Sequence, residues 1–328
     1  MRFVPYPELD GVPNVIVDGD GAPSTVLTLS HWPGSHVPPS LAADLSAEIV
    51  VRYLEQPELH VDVDAVSNNH LDEDGLVGVW AMVEPEQALL QRDLVVDVAR
   101  AGDFGWSKQR DAARVAFAVG ALVDQRPLTG DYASYCAERY QELLPLVPNL
   151  LADPAAFGEL WREEESFLDA SNEAIDRGDV TIVEHRELDL AIVTLPEQLP
   201  SRPFHRFTQP RSGPLHPMAV FNRTERTRVA YVCGHRYVVE LRYESVVQFV
   251  SRPILRRPDL GVLAERLNEF EASGGKWQFE GVGGLTPFLK ITEAESSSLD
   301  RDLFLDELTT FLAAAEPAWD PWQEEGFR

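Results

Sequence analysis

The chain reads as an α/β protein. A mainly parallel sheet flanked by helices is expected over residues 1–178, and a smaller α+β domain over 179–328. Three observations predict this. Over the first half, short apolar runs of strand length alternate with longer segments of helical periodicity, the pattern of βαβ units. Near residue 178 the texture changes to closely spaced strand-like runs, which points to an antiparallel sheet. The 328 residues, 44% of them hydrophobic, are enough for two packed units.

The elements follow in order. N-V-I-V-D at 14–18 and T-V-L-T-L at 25–29 are buried-strand candidates. Residues 30–39, S-H-W-P-G-S-H-V-P-P, form a loop by their Pro and Gly content. Residues 41–54 place Leu41, Leu45, Ile49, Val50 and Leu54 on one helical face. A third strand is expected at 61–67, a helix opening at 75–82, and a fourth strand at 93–99 (D-L-V-V-D-V-A). Helices are expected at 111–123, about 131–144 and about 155–177. In the second half, strands are expected at 180–184, 188–195, 218–222, 229–233 and 237–243, with an irregular Pro- and Arg-rich connection at 196–217. A helix at 260–270, glycine loops around a short strand at 273–284, and a last helix at 299–315 complete the reading.

The net charge of −26 disfavours duplex nucleic acid and anionic membrane as partners, since both reward basic surface. An anionic small molecule stays compatible, because a bound divalent ion can reverse the local field. Lys108, Lys276 and Lys290 are the only lysines. No apolar run is long enough for a bilayer, no signal-peptide pattern opens the chain, and Cys136 and Cys233 form no metal or redox spacing. A cytoplasmic protein is the expectation.

The chemistry concentrates after the strands of the first half. In S-N-N-H-L-D-E-D-G-L-V-G, the alternating His70, Asp72 and Asp74 precede a helix, and Gly75 permits a tight turn. Imidazole and carboxylates at that spacing suit a divalent ion; taken alone, the stretch is read first as an aspartate-capped helix start. Asp18 and Asp20 end the first long strand in V-I-V-D-G-D-G, a pattern that a turn would also produce. His31 follows the next strand, and Asp97 and Asp103 close or follow the fourth. Parallel sheets place their sites at these carboxyl ends.

These stretches resemble the DHH phosphoesterase superfamily, named for an Asp-His-His triplet. H-L-D-E-D-G-L-V-G resembles its first motif and V-I-V-D-G-D-G its second. L-T-L-S-H-W-P-G-S-H resembles the triplet region, and A-G-D-F-G-W-S-K its fourth motif. V-V-E-L-R-Y-E-S, a helix, and then S-G-G-K-W-Q-F-E-G-V-G-G resemble the DHH-associated substrate domain. The order of the motifs is permuted, and the triplet reads Ser30-His31-Trp32.

The resemblance implies a metal-dependent phosphoric ester hydrolase. Asp18, His31, His70, Asp72, Asp74 and Asp103 would hold two divalent ions, Mn²⁺ or alternatively Mg²⁺, with Asp18 bridging them. Arg242, Gly274, Gly275 and Lys276 would hold the phosphate of a small phosphorylated substrate. Trp32 cannot do the proton chemistry of the triplet's second histidine, and His36 is the candidate to replace it. Two other readings remain. One is a catalytically degenerate nucleotide- or partner-binding protein of the same fold. The other is a haloacid-dehalogenase-like phosphatase with Asp18 as nucleophile, which needs a lysine at the site. His216 and His235 flank strands and are expected to be surface or turn residues. Trp106, Trp161, Trp319 and Trp322 are expected to be packing anchors.

Overall fold

The computed structural model describes residues 1–323 and is α/β. The first elements are β1 (Arg2–Phe3), β2 (Asn14–Val17), β3 (Thr25–Leu29), α1 (Ser46–Leu54) and β4 (Ala65–Ser67). They build a four-stranded parallel sheet in the order β1-β4-β2-β3. All four residues of β2 are buried, as the unbroken apolar run requires of a strand covered on both faces. Because β3 and β4 lie on opposite sides of β2, strand order reverses there, and a crevice opens at the carboxyl ends.

Seven helices follow: α2 (Glu73–Val83), α3 (Pro85–Leu90), α4 (Arg92–Asp103), α5 (Arg110–Asp124), α6 (Tyr132–Leu143), α7 (Val147–Ala152) and α8 (Gly158–Asp176). The expected strand at 93–99 is therefore part of α4. The run D-L-V-V-D-V-A is too short to separate the two periods. The buried residues Val95, Val98, Ala99 and Gly102 recur at three- and four-residue spacing, and that period decides for helix. The first helix is also shorter than its periodicity: Leu41, Ala43 and Leu45 are buried, but in a non-helical approach to Ser46.

The second half contains β5 (Thr181–His185), β6 (Leu190–Thr194), β7 (Arg202–Arg206), β8 (Gln209–Gly213), α9 (Pro217–Phe221), β9 (Arg228–Cys233), β10 (Arg236–Leu241), α10 (Leu260–Phe270), β11 (Lys276–Phe279), β12 (Phe288–Thr292) and α11 (Arg301–Ala314). Six strands form a mixed sheet in the order β11-β12-β10-β9-β6-β5, in which β6 and β9 are parallel and the other pairs antiparallel. Alternate residues face opposite ways. Ile192, Ala230 and Val239 pack with Leu263 and Phe304 of α10 and α11, while Val193 and Val229 pack with Ala174 and Val220 of α8 and α9.

Two local expectations are corrected. The expected strand at 218–222 is instead helix α9 (Pro217–Phe221), because Pro217 starts the turn and the His216 ring accepts the Met218 N–H as its cap. The connection 196–217 contains the β7–β8 hairpin, whose turn residues Phe207 and Thr208 have positive φ. That conformation is normally signalled by Asn or Gly, so the sequence carried no warning of it. The large core of the first half also takes in Met218, Tyr243, Val246 and Trp319 from beyond residue 178. No helix of the described residues is long and apolar enough to cross a membrane.

Candidate metal centre

The three long parallel strands each deliver a ligand-competent residue where they end. Val17 closes β2 and Asp18 follows, held at φ 53° and fully buried. Aspartate is among the few residues other than glycine that tolerate this conformation, and non-glycine residues held there concentrate at functional sites. Leu29 closes β3, and Ser30-His31 follows with both side chains buried. Ser67 closes β4 and leads into His70, Asp72 and Asp74. Asp72 is the N-cap of α2: its Oδ1 accepts the Gly75 N–H at 2.8 Å, while its Oδ2 lies 2.9 Å from His70 Nε2. The capping and ligand readings of this stretch thus describe two oxygens of one carboxylate. Asp103 comes from the last turn of α4, a helix end in place of the expected strand end.

All six residues converge. Asp18 stands between the two histidines, with Oδ2 3.2 Å from His70 Nε2 and Oδ1 3.6 Å from His31 Nε2. His31 Nε2 is also 3.4 Å from Asp103 Oδ2 and 4.0 Å from Asp74 Oδ2. Two ligand groups result, Asp18–His70–Asp72 and Asp18–His31–Asp74, sharing Asp18.

Surrounding groups fix these side chains. The N-terminus of α1 donates Ser46 N–H and Ala47 N–H to the two oxygens of Asp74, at 2.8 and 2.6 Å. Ser46 Oγ donates to Asp18 Oδ1 at 2.7 Å and accepts the His31 N–H at 3.2 Å. His31 Nδ1 lies 2.5 Å from the Asp44 carbonyl, which can only accept, so that nitrogen carries the proton. Its Nε2 is therefore a lone pair, facing carboxylates. Tyr243, from the second half, places its hydroxyl 3.5 Å from that lone pair and its ring edge-on to the imidazole.

The electrostatics suit a cation. Burial, reinforced by the neighbouring carboxylates, holds Asp74 and Asp103 well above the usual carboxylate range. Burial lowers the His31 pKa despite Asp18 nearby. Burial also works against charge on His70, but Asp72 and Asp18 outweigh it and push its pKa up to about 10. Asp18 moves down, because the two histidines and Ser46 outweigh its burial. Asp18 Oδ2 and both oxygens of Asp103 are buried without a hydrogen-bond partner. Hard oxygen donors and an Nε2 lone pair, four carboxylates deep with unsatisfied atoms, could hold a metal ion.

Other residues named from sequence lie elsewhere. His36 lines the same cleft as His31, on the loop after β3. The Arg242 guanidinium is buried, donating to Glu244 and to the carbonyls of Thr224, Arg226 and Phe104. It holds backbone rather than facing the cleft, and its neighbour Tyr243 is the residue that reaches the site. Gly274, Gly275 and Lys276 sit at the start of the edge strand β11 and do not line the cleft. The Asp97 carboxylate accepts from Lys108 and Gln109 N–H and from Arg100 ahead of α5. The Lys108 side chain is exposed, so it does not supply the lysine of a haloacid-dehalogenase-like site. His216 is buried, with its Nε2 3.5 Å from Glu164, and sits at a turn as the N-cap of α9, whereas His235 lies at the surface. Ser46 and Asp44 went unseen because the helical stripe of 41–54 hid the true helix start.

Glu73, beside Asp72, is buried and turned away from the ligand groups toward Gly102 and Arg206. Burial, then Asp72, pushes its pKa up to about 8. The folded state thus binds this proton more tightly than the unfolded chain. Its stabilising effect is complete below the ordinary glutamate pKa of about 4.5 and is lost as pH rises through about 8. In metal-free protein, Glu73→Gln is expected to be more stable than wild type at pH 8 by a few kcal/mol, from ~1.4 kcal/mol per pH unit. The two should coincide near pH 4.5. Urea unfolding at both pH values checks this; an equal offset at both would refute it.

Among curated proteins and among solved structures, no match to this chain was found. A family model described as a family of unknown function matches residues 1–323. The chain therefore belongs to that family, DUF6687.

Proposed function

We propose that the chain is a metal-dependent phosphoesterase hydrolysing a small phosphoester, a divergent and permuted relative of the DHH phosphoesterases. The observation that carries this is the meeting of Asp18, His31, His70, Asp72, Asp74 and Asp103, drawn from four separated segments, in two groups that share Asp18. Asp18, His70 and Asp72 would hold one divalent ion and Asp18, His31 and Asp74 a second, with Asp103 alongside His31. Bound there, such ions supply charge stabilisation for a phosphoryl group and a lowered pKa for water.

The chain's own residues do the positioning. Asp44 keeps His31 in the tautomer whose Nε2 is free to ligate, and Ser46 fixes the rotation of Asp18. Tyr243 keeps its proton, because burial and the surrounding carboxylates raise its pKa well above the ordinary value. Once Nε2 is taken as a ligand, the Tyr243 hydroxyl is left to donate to a substrate oxygen. Trp32, at the position of the triplet's second histidine, packs its ring on His70 with centroids 4.7 Å apart and orients it.

The test is metal analysis of protein dialysed against Mn²⁺, followed by a phosphoester screen. Two Mn²⁺ per chain and Mn²⁺-dependent hydrolysis are expected, and Asp74→Ala should lose both. Full metal stoichiometry in Asp74→Ala would count decisively against this site. Two Mn²⁺ in wild type with no turnover of any phosphoester would favour a binding role instead.

A further inference from the structure

The metal centre opens on a cleft of about 1250 Å³ at the carboxyl ends of β2 and β3, with His31 in its wall. Its lining is unusual for a site that takes phosphate. Among the described residues no lysine or arginine lines it, and the one fully charged group that does is the acidic Asp20. A substrate with several phosphates needs cations along its length to offset their repulsion, the more so in a chain of net charge −26. Among the described residues, positive charge in the cleft would therefore come only from ions held at the His31 end.

The remainder mixes uncharged polar groups, among them Thr28, Ser35 and Gln248, with exposed apolar side chains. Val26, Val250 and Trp322 are 54%, 40% and 56% exposed, which is high for side chains of this kind, and all three face this cleft. Trp322 is not loose. Trp319, just before it, is buried in the core and donates its ring N–H to the Val246 carbonyl at 3.1 Å, and Asp320 accepts the Trp322 N–H at 3.2 Å and pairs with Arg256 at 2.9 Å. With its backbone anchored there, Trp322 presents an exposed indole at the cleft wall, a flat face for stacking. His36 stands on the facing loop.

We infer that the cleft selects a phosphoester bearing a single phosphoryl group on an uncharged aromatic or apolar group, with Trp322 as the stacking surface, and discriminates against polyanions. This rests on the phosphoesterase reading of the metal centre. The experiment is calorimetric titration of the Mn²⁺-loaded full-length chain with phenyl phosphate, methyl phosphate and tetrathymidylate. Phenyl phosphate is expected to bind about tenfold more tightly than either of the others. The preference for phenyl over methyl phosphate should collapse in Trp322→Ala and return in Trp322→Phe. Tetrathymidylate binding as tightly as phenyl phosphate, equal affinities for the two esters, or an unchanged preference in Trp322→Ala would each overturn the inference. Metal content of the same samples separates the failures. Loaded metal with no aryl preference removes the substrate class alone, whereas a chain that takes up no metal removes the centre and this inference together.

Discussion

Replacing Asp103 with asparagine is expected to make the metal-free protein more stable and the metal-binding protein worse. Both Asp103 oxygens are buried with no hydrogen-bond partner, and the carboxylate faces Asp72, Asp74 and Asp18. Those neighbours gain nothing from it until a cation arrives. An amide there removes the cost of keeping this buried acid protonated at neutral pH, which should add ~1–3 kcal/mol of stability without metal. For a chain of this size that is a rise of several degrees in Tm. The same change should weaken Mn²⁺ binding by about tenfold to a hundredfold. Thermal unfolding with chelator, beside Mn²⁺ titration, measures both. A variant that loses metal affinity and stability together would mean that Asp103 is structural, and the centre would lose one of its six members.

Arg242→Met is expected to be the most damaging single change in the second half, with its effect on stability rather than on substrate affinity. The guanidinium is 1% exposed, lies over the Phe221 ring at 4.1 Å, and pairs with Glu244, itself buried. Removing it strands that carboxylate and three carbonyl acceptors, a loss of ~3–5 kcal/mol. Adding Glu244→Gln should recover part of it, since the two residues are coupled. Denaturant unfolding of the single and double variants checks the size. If Arg242 held substrate instead, the single variant would unfold normally and show only a raised KM.

Much of the architecture was legible because periodicity is written locally. Strands β2, β3 and β4, helices α2, α5 and α10, and the strand-end positions of Asp18, His31 and His70 follow from apolar patterning and its interruptions; β1, only Arg2–Phe3, carries no such pattern. What was illegible depended on tertiary context. A five-residue apolar core such as that at 93–99 fits either period, and only neighbours on α2 and α5 settle α4. The β7–β8 hairpin turns through Phe207 and Thr208, residues that carry no turn signal. Arg242 was credited with binding because arginine suits phosphate chemically, but its surroundings give it backbone carbonyls, and Tyr243 one residue on faces the site. That the six candidate ligands meet could be posed from sequence and answered only by strand order. β2 lies between β3 and β4, so segments that follow one another in the chain end side by side.

The seam between the two halves has a consequence for how the protein is made. Gln248 N–H donates to the His31 carbonyl at 2.8 Å, Val250 and Ser251 N–H hold the Asp44 carboxylate at 2.7 and 2.9 Å, and Trp319 plugs the core that begins at Val15. Asp44 is the residue whose carbonyl sets the His31 tautomer. Contacts this distant in sequence close slowly, because loop entropy is lost before they form. Residues 1–178 expressed alone would leave that core open and the imidazole unlocked. On the proposed metal-site reading, ligand geometry would mature last: a nascent chain would carry all six candidate ligands long before it could arrange them, and metal would be acquired only after the fold closes.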